Sequence, residues 1–222
     1  MARTALVVGA TGLVGREVVG ELVASDRWSR VFVLARRTTG VAHAKLVEHT
    51  VDFETLADAP ESASAAIQDV DDVFACLGTT IKVAGSEDRF RRVDHDYTVA
   101  AARLGHARGA RRIGLVSSVG ASESGTFYLR VKAETERDVR AIPFESVVIA
   151  RPSFLVGERH EQRTGERVGI ALASLVAPLM FGAARAYRPI AAADVARALV
   201  RAVGEGAPPR DRILTFEDLS RR

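Results

Sequence analysis

At 222 residues, 47% hydrophobic and 27% charged, the chain has the length of one domain burying about 70% of its unfolded surface, and its composition excludes disorder. The net charge is only +3, and the arginines are dispersed in doublets such as Arg36-Arg37, Arg91-Arg92 and Arg111-Arg112, so no basic stripe marks a nucleic-acid partner. The single cysteine, Cys76, excludes an internal disulfide and a thiolate metal cluster, and a chain without asparagine has no N-glycosylation site.

Met1 leads directly into a predicted strand, Ala5–Val8, leaving no room for a signal peptide. The expected compartment is therefore the reducing cytoplasm. The strand runs into Gly9-Ala10-Thr11-Gly12-Leu13-Val14-Gly15 and then a predicted helix, Leu13–Ala24. Glycines at this spacing make a tight turn, let backbone approach a pyrophosphate and bring helix close to strand. The phosphates then rest on amides of the helix N-terminus. Residues 9, 11, 12, 13, 14 and 15 (Gly9, Thr11, Gly12, Leu13, Val14, Gly15) are expected to hold a dinucleotide.

A second strand, Val31–Leu34, leads into Arg36-Arg37. An NAD site commonly offers a carboxylate here, whereas a 2′-phosphate needs a cation. NADP(H) is therefore favoured over NAD(H). After the third strand, Leu46–Val51, Asp52 and Phe53 are placed to flank the adenine. The fourth, Asp72–Cys76, ends in Leu77-Gly78-Thr79, small enough to let backbone pass the ribose and nicotinamide. Cys76 itself has no adjacent base and reads as a buried apolar residue.

A long helical pattern, Glu87–Arg108, precedes the fifth strand, Ile113–Val116, and Ser117-Ser118 at its carboxyl end. Carboxyl ends of strands line the ligand crevice in a doubly wound sheet. The next helix, Phe127–Ala141, carries Tyr128 and Lys132, one of three tyrosines and one of three lysines, at i, i+4 on one face. An ammonium there stabilises phenolate, which makes a tyrosine a usable general acid or base. Ser118 would then bind the substrate oxygen, Tyr128 exchange the proton, and Lys132 tune the phenol and hold the cofactor ribose.

The sixth strand, Ser146–Ala150, is followed by a polar stretch from Gly157 to Gly169, expected to be a loop over the cleft. The apolar stretch Val168–Ala184 contains Pro178 and is too short to span a bilayer. It reads as a buried helix or pocket wall, with a homodimer contact or a membrane-surface contact as alternatives. A helix at Ala192–Val203 and a strand at Ile213–Phe216 complete the pattern. The five histidines, His160 beside Glu161 among them, show no paired metal-ligand spacing. Strands alternating with helices of this length give an α/β, doubly wound parallel sheet, a Rossmann fold in one domain, with residues 152–222 forming a small substrate lobe.

The glycine turn, the Ser118–Tyr128–Lys132 set and Arg151-Pro152 after the sixth strand resemble a short-chain dehydrogenase/reductase. More narrowly, Cys76-Leu77-Gly78-Thr79-Thr80, Arg92-Val93-Asp94-His95-Asp96-Tyr97, Ser117-Ser118-Val119-Gly120-Ala121 and Tyr128-Leu129-Arg130-Val131-Lys132 resemble the atypical branch of Tat-interacting oxidoreductase-like proteins. The resemblance implies an NADPH-binding fold, catalysis by Ser118, Tyr128 and Lys132, and cofactor contacts from Arg151 and Pro152. Pro189-Ile190 and Asp194-Val195-Ala196 resemble a segment closing the substrate side. Two departures stand out. Many such enzymes use an asparagine after the fourth strand, where this chain has Asp94, a charge without the amide's donor; and the substrate lobe is small.

The expected activity is NADPH-dependent reduction of a carbonyl, or oxidation of an alcohol, on a small organic substrate. Two alternatives stay open: an NADP(H)-sensing binding protein that signals to a partner, and a sugar-nucleotide epimerase or dehydratase. The expected partner is a small-molecule substrate, with no nucleic acid and no stable membrane insertion.

Overall fold

Runs of β-branched residues alternating with helices build a parallel sheet in the computed structural model, which describes residues 2–59, 66–157, 182–205 and 210–221. The strands are β1 (Arg3–Val8), β2 (Trp28–Ala35), β3 (Leu46–Thr50), β4 (Asp72–Ala75), β5 (Arg112–Val116), β6 (Ser146–Ala150), β7 (Leu155–Val156), β8 (Ile190–Ala191) and β9 (Asp211–Leu214). The main sheet has the order β3-β2-β1-β4-β5-β6-β9, every ladder parallel, and β7 pairs with β8 separately. Successive strands step outward from β1 to β3 and then return to β4 on the other side. The crevice between β1 and β4 is thus the switch point where such sheets bind ligands.

Period-two alternation in β1 sends Ala5 and Val7 to one face of the sheet and Leu6 and Val8 to the other, all fully buried. The first face is covered by α1 (Leu13–Ala24) and α7 (Ala192–Glu205). The second is covered by α2 (Phe53–Asp58), α5 (Tyr97–Ala107) and α6 (Phe127–Ala141). At the end of the sheet away from the crevice, the buried Asp72 carboxylate accepts from Trp28 Nε1 at 2.8 Å and pairs with Arg112.

Several elements depart from the sequence-based expectation. The helix expected over Glu87–Arg108 is three pieces: α4 (Glu87–Arg91), a wider π-helical turn over Arg92–Asp96, and α5. It is preceded by α3 (Ile81–Ala84), capped by Thr80. The last strand ends at Leu214, because Thr215 and Asp218 form a capping box that starts α8 (Phe216–Leu219) at Phe216. The loop expected from Gly157 to Gly169, with His160-Glu161, lies outside the described residues beyond Gly157, as does Val168–Ala184 before residue 182. No helix among the described residues is long and apolar enough to cross a membrane.

Candidate active site

The turn after β1 is shaped by two glycines. Gly9 has φ +80, and a Cβ there would collide with the Cys76 carbonyl; one on Gly15 would collide with the Gly9 carbonyl oxygen. Neither lines the cleft. They lie behind it and let α1 start directly beneath the strand ends. Gly12 precedes the first turn of α1 with no side-chain cap, and a helix's first amides have no intrahelical partners. Thr11, Gly12, Leu13 and Val14 line a cavity of about 430 Å³ at the carboxyl ends of β1, β4 and β5. Uncapped amides, a surface without side chains at Gly12, and the cations Arg16 and Arg37 lining the same cavity fit the pyrophosphate and phosphates of a dinucleotide.

Residues 76–80, the end of β5 and Tyr128 and Lys132 of α6 also line it. The glycine turn and the tyrosine–lysine pair therefore line the same cavity. Phe90 of α4 backs the Tyr128 ring at 5.3 Å between centroids, and Lys132 Nζ lies 5.9 Å from the centre of that ring.

The buried face of α6 is unusually polar: Val131, Lys132, Thr135, Glu136 and Val139. Each polar group on it has a partner. Lys132, 6% exposed, meets Asp94 Oδ1 at 2.6 Å. Thr135 donates its hydroxyl to the Val131 carbonyl at 2.8 Å. Glu136 accepts from Ser117 Oγ at 2.6 Å and takes Arg151 in a fork, Nε at 2.9 Å and Nη2 at 2.6 Å. That fork raises the Arg151 pKa. Burial alone would push the Lys132 ammonium down; the charges of Asp94, Tyr128 and Glu136 outweigh it, and its pKa is raised.

The other expected site residues divide between the cavity lining and positions outside it. Arg37 lines the cavity and Arg36 does not. Asp52 caps α2, accepting from the Glu54 amide at 2.9 Å, and Phe53 is buried against Tyr97, so neither lines the cavity. Arg151 is engaged by Glu136, and the Pro152 carbonyl accepts from the Val119 amide at 2.9 Å. Ser117 is on the cavity wall, while Ser118 is half-buried and donates to the Val119 carbonyl at 3.3 Å. Leu77, Gly78 and Thr79 line the cavity.

Glu136 and Arg16 were not singled out from sequence. The signal was present for both. Tyr128, Lys132 and Glu136 continue one i, i+4 stripe, and Arg16 directly follows the last glycine of the turn. Cys76 also lines the cavity, and burial pushes its thiol up to about 12. No group of metal-ligating residues occurs among the described residues.

A family model described as NAD(P)H-binding matches residues 9–205. The chain is similar to the protein HTATIP2 of Rattus norvegicus, 36% identical over 168 residues, covering 74% of this chain and 67% of that protein. It is similar to the protein FMP52, mitochondrial, of Eremothecium gossypii, 38% identical over 175 residues and covering 78% and 76%. Among solved structures it is similar in fold to human epimerase family protein SDR39U1 with NADPH, with a TM-score of 0.65, 16% identity and coverage of 95% and 72%. MoeE5 in complex with UDP-glucose and NAD gives a TM-score of 0.68 at 18% identity, covering 97% and 79%. The FMP52 relatives overturn one expectation: several are named mitochondrial, so a lone reduced cysteine and the run of Met1 into β1 do not assign the chain to the cytoplasm.

Proposed function

Because the chain belongs to the NAD(P)H-binding family, we propose that it is an NADPH-dependent oxidoreductase acting on a carbonyl or alcohol of a small organic substrate. The observation that carries this reading is the placement of Tyr128 and the buried cation Lys132 on the same cavity as the uncapped amides of α1. A nicotinamide cofactor, when bound, supplies or accepts the hydride. The chain's own residues bind, orient and move the proton. The amides of Leu13 and Val14 and the Arg16 side chain hold phosphates, and Tyr128 gives or takes the proton at the substrate oxygen, a role worth about 10²–10⁴ in rate. Ser118, at the carboxyl end of β5 and next to Ser117 of the cavity lining, is assigned that oxygen, which requires its hydroxyl to leave the Val119 carbonyl and turn toward the cavity. Lys132 keeps a positive charge beside the phenol.

The preference for NADPH rests on Arg37, a cation on the cavity wall beyond β2 where no carboxylate follows the strand. One similar fold holds NADPH and another NAD, so the fold alone leaves the cofactor open. The UDP-glucose held by MoeE5 brings no substrate to this chain at 18% identity.

The test is a fluorescence titration with NADPH and NADH of the wild type, Arg37→Ala, Arg36→Ala and Tyr128→Phe. NADPH is expected to bind more tightly than NADH, with Arg37→Ala losing about tenfold to a hundredfold in NADPH affinity and Arg36→Ala little. Tyr128→Phe keeps binding and loses turnover on carbonyl substrates. Binding of neither nucleotide would sink the proposal; turnover undiminished in Tyr128→Phe would remove the tyrosine's role.

A further inference from the structure

The π-helical turn over Arg92–Asp96 inserts one extra residue between α4 and α5, and such bulges recur at functional sites. Here it turns two polar residues inward: Asp94 is 1% exposed and His95 9%. His95 is clasped between Asp96, at 2.7 Å from Nδ1, and Asp138 of α6, at 2.9 Å from Nε2. The turn is thereby fastened to α6. Asp94 goes deeper. Its Oδ2 accepts from the Thr79 amide at 2.9 Å, and its Oδ1 lies 2.6 Å from Lys132 Nζ. The Oδ1 contact lacks the alignment of a hydrogen bond and is ionic.

We propose that Asp94 is the positioning residue of this cleft: its carboxylate holds the buried Lys132 ammonium charged and aimed beside Tyr128, and couples it to the cofactor-side loop at Thr79. This rests on the reading of the cleft as an oxidoreductase site. A neutral amide at position 94 could orient the lysine but could not compensate its charge. An uncompensated ammonium at this burial loses affinity for its proton by as much as 3–5 pH units. Among the described residues, the titratable groups facing Lys132 are few. Tyr128 and Glu136 come from its own helix, Asp94 from the π-helical turn, and the Cys76 thiol from the shared cavity. Glu136 is already shared between Arg151, Arg140 and Ser117. Among the described residues, Asp94 is the carboxylate in direct contact with the ammonium.

Because the chain has three lysines, protein labelled with ¹³C at lysine Cε gives few signals, and Lys132→Arg identifies one of them. Titrating that resonance in the protein without cofactor reads the ammonium directly. In the wild type Lys132 is expected to keep its proton to at least the ordinary lysine value of about 10.4. In Asp94→Asn the midpoint falls by about one pH unit or more. An equal midpoint in the two proteins overturns the proposal, as does a wild-type midpoint below the ordinary value. If Asp94→Asn does not fold, Asp94→Asn/Lys132→Met removes both charges and is expected to be more stable than Asp94→Asn alone; no recovery overturns the charge pairing. Nucleotide binding is not read here, so a failed NADPH titration sinks the oxidoreductase reading and leaves the pair standing. An unmoved lysine in a protein that binds NADPH does the reverse.

Discussion

Cys76 stands at the end of β4 on the wall of the cavity, yet burial holds its thiol at about 12. Thiolate is the reacting species, and at neutral pH almost none is present. Native protein is therefore expected to resist iodoacetamide at neutral pH and to react once unfolded in urea; rapid alkylation of the folded chain would contradict this. Tyr128 and Lys132 were legible because their spacing alone puts them on one face of a helix. Arg36 and Arg37 were not separable, since which of two adjacent residues turns to a cleft depends on where the strand ends, and β2 runs one residue past the predicted Leu34. Asp94 was visible only as a departure. A lone carboxylate in a sequence does not show which distant lysine will meet it.

Among the elements, α1 and α6 end where the apolar periodicity ends, and both match the sequence reading. The segment from Glu87 reads as one helix because a π-helical turn adds a residue without any break in helix-forming composition. Its buried Asp94 and His95 carry the signature of a solvated face, which hides the change of phase. The capping box before α8 was readable: Thr215 and Asp218 have the spacing that starts a helix. The contact of α1 with the turn after β1 has no room for a methyl group at Gly15, and the obstructing atoms are backbone. Gly15→Ala is expected to cost about 1–3 kcal/mol through overpacking, outweighing the gain of up to about 1 kcal/mol that alanine brings to a helix. Urea denaturation checks it; an unchanged midpoint would mean that α1 sits further from the strand ends.

Across the whole molecule, ionisable groups bracket a window of stability. Burial and its bond to Glu54 push Tyr97 up to about 12, and Lys132 is also raised. For both, the stabilising share is complete below the unfolded value, about 10 or slightly above, and is lost as pH rises through the folded value. On the acid side, Arg137 and His95 lower the Asp138 carboxyl, and Tyr97 and Arg92 lower Glu54. Their share is complete above about 4 and is lost as pH falls through the folded values. The urea midpoint should therefore be level between about pH 5 and pH 9 and fall on both sides, with Tyr97→Phe reducing the alkaline fall. An alkaline limb identical in wild type and Tyr97→Phe would refute the tyrosine's share.

The all-parallel order of the sheet also sets how the chain reaches this state. Parallel neighbours cannot be joined by a tight hairpin, so each ladder waits for a crossover segment to close. Thr4 and Asp71, hydrogen-bonded beside the β1–β4 ladder, are 67 residues apart. Loop-closure entropy must be met before such contacts return any free energy, which makes folding slow and leaves apolar strand edges unpaired on the way. The crevice opens where β1 and β4 part, so its two walls meet late, and an early collapsed chain has no place for a nucleotide.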